Sequence, residues 1–422
     1  MAKKHGVKKK KQKQSFAFPS HTKGYYRFSK EFPSVTDSEG YRDNDLIVNS
    51  PAKKASLRRR LVALFLCIFV VSFTATYLCF TVSKVPVAPG NESSTGEDAN
   101  AYFPGYNAVF LSGTVLSMNS AESIIGDIRY YGYDTVVIDF KDATGNFYFD
   151  PSINVASDAL AMASADAQKI VKEFQEASIS VFARFSLFAD DIYARVHKNE
   201  AAYIMTVSDE NPDEQIRSAW YNKGDDSHAW LNPYSSEVQY YLRCCVEDIN
   251  AMGVDGIIFD YATLPAREEG EVVMFDNSSE KTPDEAMTSF ISLLNNTYVS
   301  CTTAVKLSAE TMLGAIRKNE APAVCNSGCD YIVPDARLSL MPADTIIGTK
   351  QYKDPSLSPK EFITDYINAA KSFAQGEGYS AGIIPILDAS GTVAEQLTAL
   401  SVVNNDSFIL YSADSIYSDN IF

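Results

Sequence analysis

The stretch Gly253-Val254-Asp255-Gly256-Ile257-Ile258-Phe259-Asp260-Tyr261-Ala262-Thr263-Leu264-Pro265 constrains the fold of this chain more than any other. A short apolar run leaves a glycine turn, ends on a carboxylate and an aromatic ring, and is stopped by proline. Its length and its lack of alternation describe a strand buried on both faces, as in a parallel sheet. The pattern recurs. Apolar runs at 108–111, 135–140, 180–185, 256–261, 305–309, 330–333, 382–387 and 407–411 give eight expected strands. Amphipathic stretches at 120–131, 158–177, 235–251, 284–300, 358–375 and 391–403 supply helices between most of them. The connection 312–328 reads as short and irregular.

Strands alternating with helices in this number predict an α/β fold, a (β/α)8 TIM-type barrel. The competing topology, a doubly wound open sheet, normally carries a glycine-rich phosphate loop, and the sequence has none. The longest insertion, 187–232 after strand three, holds Trp220 and Trp230, the only tryptophans. An insertion there would decorate the mouth of a barrel.

Charge divides the chain. Residues 1–60 hold 16 Lys/Arg against 5 Asp/Glu, and the remainder holds 21 against 48. Residues 61–82 carry no charge at all, a length that suits one bilayer crossing. With Lys53, Lys54 and Arg58 to Arg60 on one side and Lys84 on the other, the positive-inside rule keeps the N-terminus in the cytoplasm and exports the rest. A cleaved signal peptide is the alternative, but the leader is too long for one. The expected organisation is a disordered basic cytoplasmic tail (1–60), a transmembrane helix (61–83), a Pro/Gly/Ser-rich linker (84–103) and an extracytoplasmic domain (104–422). The domain's acidity argues against nucleic acid as a partner and favours neutral or cationic material. Of seven cysteines, Cys244, Cys245, Cys301, Cys325 and Cys329 fall in that domain, with Cys325 and Cys329 spaced to close a small loop. No zinc-ligand spacing, phosphate loop or serine nucleophile elbow appears, so no metal or cofactor is expected.

The expected strand tips repeatedly end in acids: Asp139 and Asp142, Asp190 and Asp191, Asp260, Glu310, Asp335, Asp388 and Asp414. In a barrel these tips converge on one mouth. Glycoside hydrolysis needs two carboxyl groups there, one protonated and one ionised, and clustered acids push each other's pKa values apart. Capping of the following helix is the ordinary alternative for each acid, and it suits Asp142, Asp191 and Asp414 best. Arg184 ends an apolar strand and needs a carboxylate partner. Trp230 and Tyr261 are candidate flat walls for a sugar ring, with core packing the commoner fate of such residues.

Several segments in order, Thr135–Tyr148 (TVVIDFKDATGNFY), Val181–Ala194 (VFARFSLFADDIYA), Ala229–Val238 (AWLNPYSSEV) and Gly253–Pro265, resemble the glycosyl hydrolase domain family of exported bacterial proteins, related to α-amylase-type (β/α)8 barrels. The resemblance implies action on a polysaccharide or oligosaccharide, with Asp260 at the nucleophile's position, Glu310 at the acid/base's and Asp388 at a supporting acid's. Asp139, Arg184, Trp230 and Tyr261 would then contact or organise substrate. Three departures stand out. Thr263 replaces the family's usual arginine, Glu310 stands where an aspartate is commoner, and Asp335-Ala336-Arg337-Leu338-Ser339 replaces an aromatic- and histidine-containing segment. A membrane-anchored glycoside hydrolase is therefore the first expectation, and a catalytically silent barrel that binds glycan or a partner protein at the envelope is the second.

Overall fold

The computed structural model describes residues 15–16, 105–207, 215–224, 226–376, 379–412 and 417–418. Ser15 and Phe16 aside, the expected tail, span (61–83) and linker lie outside the described residues, as does Asp414. Among the described residues no helix is long and apolar enough to cross a membrane.

The sheet is built from β1 (Asn107–Leu111), β2 (Thr135–Lys141), β3 (Ser180–Ser186), β4 (Gly256–Asp260), β5 (Thr302–Leu307), β6 (Tyr331–Pro334), β7 (Gly382–Ile383), β8 (Ile386–Asp388) and β9 (Phe408–Tyr411). These pair in parallel in the order β7-β6-β5-β4-β3-β2-β1-β9-β8, a curled TIM-like sheet. The expected strand 382–387 is broken at Ile384-Pro385, because proline has no N–H for the ladder. Pro385 instead accepts from the Ile409 N–H at 2.9 Å, and the Ala336 N–H reaches the Ile386 carbonyl at 2.9 Å. Both ends of the sheet thus lie on one short stretch of chain.

Helices α1 (Glu122–Tyr130), α2 (Ala167–Glu176), α3 (Asp191–Val196), α4 (Ser236–Ala251), α5 (Pro283–Thr297), α6 (Ala309–Lys318), α7 (Pro359–Phe373) and α8 (Val393–Val402) cover the outer face. Their starts are chemically marked. Ser235 accepts from the Glu237 and Val238 N–H groups, and Thr282 and Glu285 form a reciprocal capping box with Pro283 following the cap. The connection 312–328 is irregular only in its second half: it begins within α6, which Ser308 caps through the Thr311 N–H, and leaves the helix after Lys318. The insertion after β3 contributes α3 and an antiparallel hairpin, Tyr203–Val207 with Gln215–Ala219.

Alternation along each strand sorts residues into two cores. Val137, Phe182, Ile258, Ala304, Val333, Ile386 and Ile409 form the inner one, while their strand neighbours pack against the helices. Gly256 shares the inner face with Ile258, and a Cβ there would come within 2.8 Å of the Phe182 ring. Only glycine leaves room for that phenyl group. The same parity decides the site, because a residue two beyond an inner residue faces inward at the mouth.

Candidate active site

Two residues beyond Val137, Phe182, Ile258, Ala304 and Val333 stand Asp139, Arg184, Asp260, Lys306 and Asp335. Five successive strands therefore contribute acid, base, acid, base, acid, and Arg337 continues the alternation. The contacts follow that order. Arg184 donates from Nη1 to Asp139 at 2.8 Å and from Nε to Asp260 at 2.7 Å, with Nη2 2.6 Å from the same Asp260 oxygen. Lys306 Nζ lies 3.2 Å from Asp260 and 3.6 Å from Asp335. Arg337 grips Asp335 with Nε at 2.8 Å and Nη2 at 2.7 Å.

Burial and charge act on the two Arg184-bound acids in opposite senses. At Asp260 burial would raise the pKa, but Lys306 and then Arg184 overcome it and hold the carboxyl below its ordinary value. At Asp139 burial wins over Arg184, aided by repulsion from Asp142 and Asp260, and the pKa rises. Arg184 is kept protonated against its own burial by Asp139 and Asp260.

Tyr261 follows Asp260 with φ +50°, left-handed backbone that costs a bulky residue about 1–2 kcal/mol. Its N–H donates to Asp260 at 2.7 Å and its hydroxyl to Asp226 at 2.8 Å, while Lys306 lies 5.8 Å from the ring centre. Asp226 in turn holds His228 at 2.9 Å, and Asp191 holds its other ring nitrogen at 3.1 Å. Burial would lower the histidine pKa; the two carboxylates raise it to about 9, and the His228 hydrogen bond brings Asp226 down to about 2. The insertion is thereby tied to the mouth through Tyr261.

Other expected residues lie elsewhere. Trp230 is 3% exposed and donates to Asn222 at 3.0 Å, with its ring centre 6.0 Å from that of Tyr261, so it backs the site from the core instead of walling it. Asp388 accepts from the Ser339 N–H at 2.9 Å and hydroxyl at 2.7 Å, fixing the turn beside Arg337. Glu310 is not in the ring. It has the inward parity of Ala304 and Lys306, but β5 ends at Leu307 and Ser308 starts α6. Glu310 therefore occupies the exposed first turn of a helix and lines a separate cleft with Thr263, Asp284 and Lys318. Cys325 and Cys329 are free and buried, with no bond between them.

Asp335 is expected only as a strand-tip acid with no assigned role, and Lys306, Arg337, Asp226 and His228 are not expected at the site. A readable signal existed for one of them: Lys306 interrupts the apolar run Thr302-Thr303-Ala304-Val305-Lys306-Leu307. Inside the ring lies a cavity of about 40 Å³, room for a few waters but not for a pyranose ring. A sugar would have to rest above the ring.

The sequence profile of one family, described as "Putative glycosyl hydrolase domain", matches residues 108–417. The chain belongs to that family. This glycosyl hydrolase domain is also similar to solved structures. A hypothetical protein from Ruminiclostridium thermocellum shares 19% identity over 47% of this chain and 96% of its own, with a TM-score of 0.37. The glycoside hydrolase domain of PelA from Pseudomonas aeruginosa shares 11% over 74% and 98%, TM-score 0.39. Trehalose-6-phosphate hydrolase from Bacillus licheniformis shares 13% over 72% and 64%, TM-score 0.44. No curated protein matches the sequence.

Proposed function

We propose that this domain cleaves glycosidic bonds of a polysaccharide or oligosaccharide with Asp139 and Asp260 as its two working carboxyl groups. One observation carries the proposal. A single guanidinium, Arg184, holds both acids at the mouth while their surroundings drive one pKa up and the other down. Such divergence assigns roles. Asp139, whose pKa is raised, is the acid that gives a proton to the leaving oxygen as the C–O bond breaks. Asp260 stays ionised, to attack the anomeric carbon or activate a water molecule. Asp139 thus takes the role that the family resemblance gave to Glu310, and Asp388 acts on the Ser339 turn. Residues 61–83 would anchor the domain at the cell membrane, with the domain outside the cell.

Release of reducing ends from a panel of cell-wall and storage glycans tests this reading. Asp260→Asn and Asp139→Asn should each abolish release, and Glu310→Gln should preserve it. Full activity in either aspartate variant removes that residue from the chemistry.

The narrow cavity and the complete pairing of the mouth carboxylates favour one second reading, a barrel that binds glycan without cleaving it. Glycan binding that releases no reducing ends and survives Asp260→Asn would establish it.

A further inference from the structure

The ring is balanced in charge, but its two signs do not face the same way. The charged residues that line the inner cavity are Arg184, Lys306 and Arg337; Asp139, Asp260 and Asp335 do not line it. The floor beneath is apolar, including Ile258 and Val333. Guanidinium groups also carry more N–H donors than these carboxylates take up. Arg337 binds Asp335 through Nε and Nη2 only, leaving Nη1 outside that pair, and its guanidinium stacks 4.2 Å from the Tyr411 ring centre. Stacking on Tyr411 and the two-point grip of Asp335 fix the arginine's orientation. Spare donors of one sign, held rigid over an apolar floor, favour a small anion, because water competes poorly there.

Resting on the hydrolase reading, we propose that the mouth selects an acidic glycan by drawing one anionic substituent of the sugar, a uronic-acid carboxylate or a phosphate ester, into the cavity beside Arg337 and Lys306. The cavity's volume suits this. It excludes a sugar ring but admits a group the size of a few waters, so the ring stays above, level with Asp139 and Asp260. The acidity of the whole domain does not oppose it, because distant surface charges are screened within about 8 Å at physiological salt.

Calorimetric titration of the full chain tests the inference with three probes: galacturonic acid oligomers, the neutral galactose oligomers of equal length, and a sugar phosphate. The acidic oligomer or the sugar phosphate should bind roughly tenfold or more tighter than the neutral one, and added salt should erode the difference. Preference for the first over the second assigns the site to carboxylate, and the reverse to phosphate. Binding of both anionic probes no tighter than that of the neutral oligomer overturns the inference, and so does a preference that Arg337→Gln leaves intact. The ligand comparison uses the unaltered protein, so misfolding of the variant cannot hide the answer. Reducing-end release separates the two claims. Cleavage of neutral glycans without acidic preference leaves the hydrolase reading standing and sinks this one, whereas selective acidic binding without cleavage does the reverse.

Discussion

Two lysine–aspartate pairs lie close together in the chain's fold and differ in what surrounds them. Lys306 meets Asp260 at the mouth, where both belong to a longer series of charges and the lysine lines a cavity. Lys141 meets Asp190 at 2.9 Å with side-chain exposures of 0% and 1%. By alternation Lys141 should share the inner face with Asp139. The pairing of β2 with β3 slips between these two residues, and that bulge turns the lysine toward α4. There Asp190 also accepts from the Tyr241 hydroxyl at 2.7 Å and the Tyr193 N–H at 2.7 Å, and Lys141 donates to the Ser186 carbonyl at 3.1 Å. The inner pair belongs to a series of alternating charges, and its lysine lines the cavity of about 40 Å³. In the outer pair the lysine is fully buried and only Asp190 borders a cavity, of about 20 Å³. Burial alone therefore does not mark a functional charge; membership of a connected series of charges at the mouth does.

The sharpest way to break this contrast is Asp260→Asn. Hydrolysis should fall on the order of 10⁴-fold or more while the protein stays folded, read by reducing-end release and circular dichroism. Lys141→Met should do the opposite. It strands a buried carboxylate, so urea unfolding should show a loss of about 3–5 kcal/mol with activity per folded molecule unchanged. Comparable activity losses in both variants would erase the distinction. Arg184→Lys keeps the charge but cannot span Asp139 and Asp260 together, and kcat/KM should drop by about 2 kcal/mol in transition-state terms, with a displaced pH profile.

His228 adds a pH test. Its folded pKa of about 9 lies above its ordinary 6.5, so its contribution to stability is complete below pH 6.5 and is lost as pH rises through 9. Unfolding midpoints should decline across that window in the native chain and stay flat in His228→Gln. The smallest effect belongs to Glu310→Gln. An exposed first-turn residue should move stability by no more than about 0.5 kcal/mol and leave glycan cleavage intact.

Most of the scaffold was legible because unbroken apolar runs between amphipathic stretches leave few options other than parallel strands under helices. Within the site, Asp139, Arg184 and Asp260 were legible too, since each is a polar residue at the end of such a run. Glu310 was misplaced by a strand boundary. The run 305–309 is the tail of a strand that ends at Leu307, and Ser308 followed by helix-forming residues is a cap signal that outranked the apolar character of the segment. Asp335 reads in the sequence only as one more strand-tip acid, and Lys306 meets Asp260 and Asp335 across neighbouring strands, a contact that no local pattern shows.

The order of strands and helices, the inward parity of five polar residues and the asymmetry of charge along the chain are all written in the sequence, because they depend on local periodicity and composition. Which of those residues meet was decided only in three dimensions. A one-residue bulge sent Lys141 outward, a helix cap removed Glu310, and curling of the sheet set Arg184, Lys306 and Arg337 around one small cavity. Contacts among residues far apart in the chain depend on backbone register and closure, and no local pattern encodes either.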